Sequence, residues 1–501
     1  MFSKVLITSR GLIQTQTIKA VQELGAKAVV LNLPGQKINI SEYIADEVYP
    51  VKDSNQVNIL YDRKTLLEIA KSCHADAVHP GYGFLAEDLE FATELKKRNI
   101  CFISAGLLNN QGLSFKYKTK EVVSSLGIKT TRGSKPCKTY EELKQNIRHF
   151  KYPLILKPEH GVGADGVVIV HSESELEVAY RMITILAEAH QAITKDVIIE
   201  EYLGTARQIE FPVLRDKYGN VVVLPEIECS IQRRFNPLLI ESPVPNLNPD
   251  LIKQLRINCK QIVEKFQIIG LLYIEFFIVN NQSYCNGINC SIQPSCLLSY
   301  ETTGFNILKH QIQLMAGEKL DFSEQDIQLK KHGIGISINA EDPDNNFIPS
   351  TGKLENDLIF NSPGIAIYKT LTTGDEIPSF YEPQVAHVVS VGDNRRETIS
   401  KLKSALWNFV IEGVKSNLTF LYAIINSDEF KAANYNLTYL QNPKILQQLL
   451  QPKIFKNELA LAALIAAVSL QNDVACRQKL IAQHKNESLS FWNLTHRILN
   501  R

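Results

Sequence analysis

The most constraining feature of the chain is the segment from Tyr273 to Gly304, YIEFFIVNNQSYCNGINCSIQPSCLLSYETTG. It predicts a strand (YIEFFIV), a polar turn (NNQS), a second strand (YCNGINCSIQ) and a loop. The first strand contributes one acidic residue, Glu275. Because side chains two positions apart share a strand face, the second strand presents a row of small or uncharged residues: Gly287, Asn289, Ser291, Gln293 and Ser295. The predicted strand pair therefore offers amides and hydroxyls with a single carboxylate.

Composition excludes several classes of protein. The 501 residues are enough for several domains, and 54 basic residues balance 53 acidic ones without a basic run, which argues against nucleic-acid binding. The nine cysteines follow no disulfide or metal-knuckle spacing, and we expect Cys285, Cys290 and Cys296 to be small buried side chains. The start, MFSKVLITSRG, does not resemble a signal peptide, and the most apolar run, LALAALIAAVSL, has 12 residues. These features predict a cytoplasmic protein without a membrane segment.

The N-terminal region has a repeated β-α-β pattern. FSKVLIT, TQTIKAVQELG and KAVVLNL predict strand, helix and strand, and DRKTLLEIAKSCH with ADAVHPGYGF repeats the helix and strand. We therefore expect an open, mainly parallel sheet over residues 1–112. A strand-rich region is predicted at 332–440, and a helical tail at 446–501.

A glycine-rich segment, PEHGVGADGVVIV, follows the predicted strand YPLILK. Gly161, Gly163 and Gly166 match the G-x-G-x-x-G pattern of dinucleotide-binding proteins, but a strand follows them where that fingerprint requires a helix. A glycine hairpin between two strands suits a lid whose backbone N–H groups cover phosphates. A mobile surface loop is the alternative. Asp165 within it would place an unfavourable negative charge near a polyphosphate.

Four further segments belong to the same series: VHPGYGFLAED, VIIEEYLG, QRRFNPLLIESPVP and SINAEDP. In their order and separation, all of these segments resemble those of the biotin carboxylases, an ATP-grasp family, as far as about residue 445. The resemblance implies an α/β fold of the biotin carboxylase type. It assigns 1–112 to the N-terminal domain, 113–317 to the ATP-grasp domain with a lid at 137–204, and 332–440 to the C-terminal domain. It also implies ATP- and bicarbonate-dependent carboxylation of biotin on a carrier protein.

The resemblance implies nucleotide-binding roles for many residues of this chain. Lys116 and Lys157 match phosphate-contacting lysines, Gly163 and Gly166 lie in the lid, and Glu200 to Leu203 match the adenine hinge. The implied nucleotide-binding set is Lys116, Lys157, Gly163, Gly166, Glu200, Glu201, Tyr202, Leu203, Gln208, Gln232 and Glu275. The implied ligands of Mg²⁺ or Mn²⁺ are Glu275 and Asn289, because hard cations that bridge phosphates take oxygen ligands.

The charged residues of the family's carboxylation centre are replaced. Gly287 stands in place of a metal-binding Glu, and Ser295 in place of the general-base Glu. A serine hydroxyl is too weakly basic for that role. Pro237 stands in place of a Lys, and Ser291 and Ser337 stand in place of two Arg. Because losing one preorganised donor typically costs about 2.7–4 kcal/mol of barrier, we predict a catalytically impaired member, with no confident catalytic residue and weakened binding of ATP with Mg²⁺ or Mn²⁺.

Two active alternatives remain open: an ATP-dependent ligase acting on another carboxylate, and a biotin carboxylase with a rearranged or partner-completed site. The three methionines are Met1, Met182 and Met315, so the Met-Lys-Met biotinylation motif is absent and biotin would arrive on a separate carrier. The resemblance implies a homodimer. It also implies contact with a biotin carboxyl carrier protein, a carboxyltransferase subunit or an active biotin carboxylase subunit.

Overall fold

The computed structural model describes residues 1–32, 40–51, 62–106, 113, 115–160, 166–189, 192, 194–358, 362–369, 371–377 and 383–451. Gly161, Gly163, Asp165 and most of the predicted tail, 452–501, lie outside these described residues. Of that tail, the structure describes the helix Pro443–Leu450 and Gln451. In the described part of the chain, no helix combines the length and apolar character that crossing a membrane requires.

The N-terminal region contains a five-stranded sheet in the order β3-β2-β1-β4-β5, and every neighbouring pair is parallel. Its strands are β1 Lys4–Ile7, β2 Lys27–Asn32, β3 Glu47–Pro50, β4 Ala77–His79 and β5 Cys101–Phe102. Its helices are α1 Gly11–Glu23, α2 Ile40–Ile44, α3 Arg63–Ser72 and α4 Leu89–Lys97. Val5, Leu6 and Ile7 are fully buried, as expected for a parallel strand covered on both faces. The predicted parallel sheet is confirmed.

A three-stranded antiparallel sheet follows, in the order β7-β6-β8. Its strands are β6 Leu154–Pro158, β7 Val168–Val170 and β8 Val197–Glu201, and the helices of this region are α5 Lys116–Ser125, α6 Tyr140–Ile147 and α7 Leu176–Ala189. A strand, β7, therefore follows the glycine segment, as predicted. Gly166 has φ +76, a left-handed conformation that glycine adopts without strain.

The largest sheet has nine strands, in the order β14-β13-β9-β11-β12-β15-β22-β20 with β10 paired to β9. The remaining strands are β9 Arg207–Arg215, β10 Val221–Val223, β11 Ile227–Arg233, β12 Asn236–Ser242, β13 Gly270–Val279, β14 Gln282–Asn289, β15 His332–Asn339, β16 Glu341–Asp342, β17 Ile348–Pro349, β18 Gly352–Lys353, β19 Asn356–Leu358, β20 Ile365–Lys369, β21 Glu376–Ile377, β22 Gln384–Gly392 and β23 Val410–Glu412. The remaining α-helices are α8 Pro249–Phe266, α9 Ser295–Thr303, α10 Ile307–Met315, α11 Arg395–Trp407, α12 Leu418–Asn426, α13 Asp428–Lys431 and α14 Pro443–Leu450. Short 3₁₀ helices are Phe84–Glu87, Glu173–Glu175, Glu324–Asp326, Pro343–Asn345 and Tyr439–Gln441.

This sheet runs without interruption from the predicted ATP-grasp region into the predicted C-terminal region. Strands β12 and β15 pair antiparallel, with Leu239 opposite Ile336. Both side chains are buried in one hydrophobic core with Leu402 and Phe420 from the helices that follow. Shared backbone pairing and a shared core hold the two regions in a fixed relation.

The strand pair predicted at 273–304 is present, with two corrections to its second half. Strand β14 ends at Asn289, whereas the pattern predicted a strand as far as Gln293. The predicted loop contains helix α9, which begins at Ser295 directly after Pro294 and ends at Thr303, followed by Gly304 with φ +79. Proline suits the start of a helix and glycine its end, and these two signals outweighed the alternating pattern.

Candidate functional site

The acidic side chain of the strand pair is held by two amides. Glu275 lies on β13 directly opposite Gly287 on β14. Its Oε2 accepts a hydrogen bond from Nδ2 of Asn286 at 2.9 Å, and its Oε1 accepts one from Nδ2 of Asn289 at 2.8 Å. A Cβ atom added at Gly287 would meet Oε2 of Glu275 at 3.9 Å, an ordinary contact. The predicted metal pair, Glu275 and Asn289, is thus brought together, and amide hydrogens face the carboxylate.

A second carboxyl group lies beside this pair and was missed by the sequence reasoning. Glu210 on β9 pairs with Glu275 on β13, and Oγ of Ser295 donates a hydrogen bond of 2.6 Å to its Oε1. Burial, reinforced by the charge of Glu275 and opposed by the Ser295 hydrogen bond, raises the pKa of Glu210 to about 8. Glu210 is therefore mainly protonated at neutral pH. Its position two residues from Gln208 on one strand was the available signal.

Lys157 and Glu200 form a buried ion pair between the neighbouring strands β6 and β8 of the three-stranded sheet. Nζ of Lys157 lies 2.8 Å from Oε2 of Glu200 and 3.3 Å from Oδ1 of Asn286. Nζ of Lys120 contacts the other oxygen of Glu200, and Oγ1 of Thr131 donates to Oε2 at 3.1 Å. Although burial alone would raise it, the two ammonium groups lower the pKa of Glu200 to about 2.

Lys120 was not singled out from the sequence, although it lies four residues after Lys116 and so on the same face of α5. Its side chain is 12% exposed. Burial lowers the pKa of Lys120 to about 8 despite the opposing charge of Glu200. The Glu200 carboxylate therefore pairs with both Lys120 and Lys157, and of these two lysines only Lys157 was predicted as a site residue.

A further carboxyl group occupies the start of helix α5. Both oxygens of Glu159 accept hydrogen bonds from the backbone N–H of Tyr117, at 3.2 and 3.0 Å. Burial raises the pKa of Glu159 to about 7 and lowers that of Lys116, whose charge is favoured by Glu87 and Glu159. Burial also raises the pKa of Glu87 to about 7. Backbone N–H groups at a helix start attract anionic and other acceptor groups, and here the chain supplies a carboxyl group.

The predicted hinge lines a cavity of about 230 Å³. Tyr202 and Leu203 form one wall, and the amide pair of Gln208 and Gln232, joined by a 3.0 Å hydrogen bond, forms another. Glu201, at the end of β8, is exposed. The other walls are mostly apolar: Ile155, Ile169, Phe277, Leu437 and Leu440. Several predicted nucleotide-binding positions therefore converge on one cavity.

The neutral residues at the replaced positions contact neighbouring residues of the chain. Ser291 is buried, and its Oγ accepts from Nε2 of Gln293 at 3.2 Å. Oγ of Ser337 lies 3.3 Å from Nδ1 of His387, and Pro237 is paired with Gln232 between β11 and β12. Among the described residues, no three His, Cys, Asp or Glu side chains form a group able to hold a metal ion.

Three family models match the chain in sequence order. The biotin carboxylase N-terminal domain matches residues 1–106, the ATP-binding domain of the carbamoyl-phosphate synthase L chain matches 116–323, and the biotin carboxylase C-terminal domain matches 336–442.

Known proteins of similar sequence extend over most of the chain. Biotin carboxylase 1 of Bacillus subtilis (strain 168) is 30% identical over 451 residues, covering 89% of this chain and 100% of that protein. Mitochondrial methylcrotonoyl-CoA carboxylase subunit alpha of Mus musculus is 29% identical over 445 residues, covering 87% of this chain and 61% of that protein. The chain therefore spans less than two thirds of the length of that longer relative.

The fold agrees with the sequence matches. A crystal structure of the biotin carboxylase domain dimer of Hydrogenobacter thermophilus 2-oxoglutarate carboxylase, with MgADP, ADP and bicarbonate, superposes with a TM-score of 0.84 at 30% identity, covering 89% of this chain and 99% of that chain. Fold and site thus define an ATP-grasp protein. The chain belongs to the biotin carboxylase family, which confirms the resemblance and the fold class predicted from the motifs.

Proposed function

We propose that this chain is a non-catalytic member of the biotin carboxylase family, which acts as a structural or regulatory subunit of a biotin-dependent carboxylase. The proposal rests mainly on the immediate surroundings of the Glu275 carboxylate. Both of its oxygens accept amide hydrogen bonds, and a glycine stands opposite. A cation that bridges phosphates requires carboxylate oxygens facing it.

The residues present do not fit a bridging Mg²⁺ or Mn²⁺. Gly287 supplies no ligand, so Glu275 is the one carboxylate of this strand pair, and the predicted second ligand, Asn289, could add only a neutral amide oxygen. Glu210 pairs with Glu275 in strand register, but its Oε1 accepts a hydrogen bond from the hydroxyl of Ser295. No step that depends on a bound metal is therefore assigned to this site.

The proton-transfer machinery also does not fit biotin carboxylation. Ser295 holds the position of the family's base, and its hydroxyl donates to Glu210. Ser291 and Ser337 replace the arginines that the family uses to stabilise charge, and each has a neutral partner, Gln293 and His387 respectively. The site can position a small polar molecule, but at these positions it has hydroxyl groups in place of a carboxylate base and of the arginines.

Partners and compartment follow from this role. We infer a homodimer that contacts a biotin carboxyl carrier protein, a carboxyltransferase subunit or an active biotin carboxylase subunit, in the cytoplasm. The crystal structure of the Hydrogenobacter thermophilus relative is a dimer, and biotin carboxylase 1 of Bacillus subtilis is matched over its full length. We also propose that the N-terminal domain ends at residue 112, that the ATP-grasp domain ends at 317, that the C-terminal domain begins at 332, and that a helical tail begins at 446.

The direct experiment measures ADP release by the purified chain with ATP, Mg²⁺, bicarbonate and free biotin. Bacillus subtilis biotin carboxylase 1 serves as the positive control. We expect no bicarbonate-dependent release above the rate without enzyme. Release that depends on both bicarbonate and biotin would establish a live carboxylase and refute the proposal.

A second candidate is an ATP-dependent ligase or residual ATPase. Lys116 and Lys157 are retained, and the protonated Glu210 is available as a proton donor near Glu275. Nucleotide hydrolysis that requires Mg²⁺ but not bicarbonate would favour this candidate over a non-catalytic role.

A further inference from the structure

The outer surface of helix α7 carries an apolar stripe. Its residues Val178, Met182 and Ile185 are exposed by 72%, 44% and 65%, respectively. They are spaced i, i+4 and i+7, which places them on one side of an α-helix. Among the described residues, no other helix or strand carries three large apolar side chains that are this exposed. Contiguous exposed apolar surface of this kind usually marks an interaction site.

The side of α7 opposite to the stripe is buried against the three-stranded sheet. Leu176, Ala179 and Ile183 pack there in one core with Leu154 of β6 and Val170 of β7. A surface helix normally has one apolar side, which faces the core, and a polar remainder. The sheet accounts for one apolar side of α7 and leaves the second exposed to solvent.

The neighbouring helix α6 lies on a different side of α7. The rings of Tyr180 on α7 and Tyr140 on α6 are 5.5 Å apart, so Tyr180 marks the side of α7 that faces α6. Successive residues of an α-helix are about 100° apart around its axis. Val178, two residues before Tyr180, therefore lies almost opposite to it. Helix α6 does not cover the stripe.

The sequence contains an apolar segment that needs a surface of this kind. In LALAALIAAVSL, residues 459–470, eleven of the twelve side chains are apolar and none is charged. An apolar segment of this length is typical of a buried helix. A helix of this composition is apolar on every side, so it has to pack against other apolar surface. The segment belongs to the part of the chain outside the described residues.

The last described helix, α14, lies close to the three-stranded sheet. Leu446 of α14 lines the same cavity as Ile169 of the edge strand β7. The next residue of β7, Val170, packs beneath α7. Seven residues, 452–458, connect Gln451 to the apolar segment, and in extended form they span about 25 Å. Because an α-helix with its side chains is about 10–12 Å across, this connection is long enough to pass the edge strand and reach the outer side of α7.

Charge and contact area favour the same occupant. Between positions 173 and 195, four exposed acidic residues outnumber two basic ones: Glu173, Glu175, Glu177 and Glu188 against Arg181 and Lys195. The sequence from 452 to 501 has the opposite balance, with seven Lys or Arg and three Asp or Glu. Contact between the stripes of two copies is less favourable. Such a patch covers at most about a few hundred Å², whereas a stable dimer buries about 800 Å² on each partner.

We propose that the stripe of Val178, Met182 and Ile185 is the docking surface for the apolar segment 459–470 of the same chain. The contact removes both apolar surfaces from water, which is the main favourable contribution to such an association. It also ties the C-terminal part of the chain to the outer side of the three-stranded sheet. This inference goes beyond the proposed function and does not depend on the proposed lack of turnover, which the ADP-release assay decides.

Photocrosslinking in the full chain tests the proposal directly. The photoreactive residue p-benzoylphenylalanine replaces Met182, and trypsin releases the apolar segment within one peptide, residues 457–477. We expect crosslinks from position 182 to this peptide, in a product with the mass of one chain. The same residue in place of Ile257, which is 50% exposed on helix α8, is the matched control and should not reach the peptide. Absence of the peptide from the products of position 182, or a product with the mass of two chains, would overturn the proposal.

Hydrogen exchange measures how firmly the segment is docked. In the unmodified full chain, the amide hydrogens of residues 459–470 should exchange slowly, because docking protects them. Met182→Lys places a charge in the stripe and should remove this protection, while the core stays intact because Met182 is already exposed. Ile257→Lys makes the same change on α8 and should leave the protection unchanged. Rapid exchange in the unmodified chain, or equal protection in both variants, would contradict docking on α7.

Discussion

Nζ of Lys157 lies 2.8 Å from Oε2 of Glu200, and this pair is buried between strands β6 and β8. The second oxygen of Glu200 contacts Lys120. The resemblance to biotin carboxylases assigns Lys157 to a nucleotide phosphate and Glu200 to the adenine hinge. The structure instead joins the two to each other and to a third, unpredicted residue. A lysine expected to contact a nucleotide phosphate is thus held in a buried ion pair within the three-stranded sheet.

Glu200→Gln should destabilise the protein strongly. The substitution leaves the ammonium groups of Lys120 and Lys157 largely buried without a counter-charge, and breaking such a pair typically costs about 3–5 kcal/mol. The free energy of unfolding in urea measures the effect. Glu201→Gln is the matched control, because the adjacent residue is exposed and should change stability by less than about 0.5 kcal/mol. Equal effects in the two variants would contradict the buried triad.

Gly287→Glu should create a divalent cation site that the unmodified chain lacks. A Cβ atom fits at Gly287, 3.9 Å from the Glu275 carboxylate, so a second carboxylate can be placed beside the first. Two carboxylates suit Mn²⁺ or Mg²⁺ better than one. Electron paramagnetic resonance of added Mn²⁺ reports binding. Gly287→Gln, of the same shape but uncharged, should bind no more Mn²⁺ than the unmodified chain. Strong binding by the unmodified chain would contradict the conclusion that Glu275 and Asn289 do not hold a bridging cation.

Glu210 should make stability fall as pH rises. Burial raises its pKa from 4.5 to about 8, so between about pH 5 and 8 the folded protein keeps a proton that the unfolded chain has released. The contribution of this group to the free energy of unfolding is present at low pH. It is lost toward pH 8, by at most about 1.4 kcal/mol per pH unit.

Urea unfolding from pH 5 to 9 compares the unmodified chain with Glu210→Gln, which retains an oxygen to accept from Ser295. The variant should gain stability relative to the unmodified chain as pH rises through this window. Parallel stability curves would show that Glu210 is ionised in the folded protein.

The cysteines around strand β14 should be inert in the folded protein. Cys285, Cys290 and Cys296 are free and buried, as the sequence predicted, and burial raises the pKa of Cys285 to about 12. Thiolates are the reactive form. Mass spectrometry after iodoacetamide treatment should find these three unlabelled in the native protein and fully labelled in urea. Rapid native labelling of any of them would mean that the strand opens readily.

The sequence predicted the scaffold well because its signals are local. The apolar run YIEFFIV predicted β13, and the apolar runs around residues 4–7 and 27–32 predicted β1 and β2. The predicted end of β14 was wrong because Ile288, Cys290 and Ile292 continue the alternating pattern, whereas the strand ends at Asn289 and Pro294 and Gly304 flank the helix that follows.

The site was less predictable, because its partners are distant along the chain. Lys120 and Glu200 are 80 residues apart. Glu210 and Ser295 are 85 residues apart, and their contact depends on how β9 and α9 meet. Motif reading identified the replaced charges, since each replacement is visible at one position. It singled out Glu200 as a hinge residue, but it predicted neither the contacts of Glu200 with Lys120 and Lys157 nor the position of Glu159, since these contacts arise only on folding.

The most direct test of the central claim is transfer of radiolabelled bicarbonate to biotin by the full chain, with ATP and Mg²⁺, in parallel with Bacillus subtilis biotin carboxylase 1. Free biotin and a biotinylated carrier protein are both offered as acceptors. We predict label on biotin with the Bacillus enzyme and none above background with this chain. ATP-dependent label on either acceptor would show that the site still carboxylates biotin and would contradict the account.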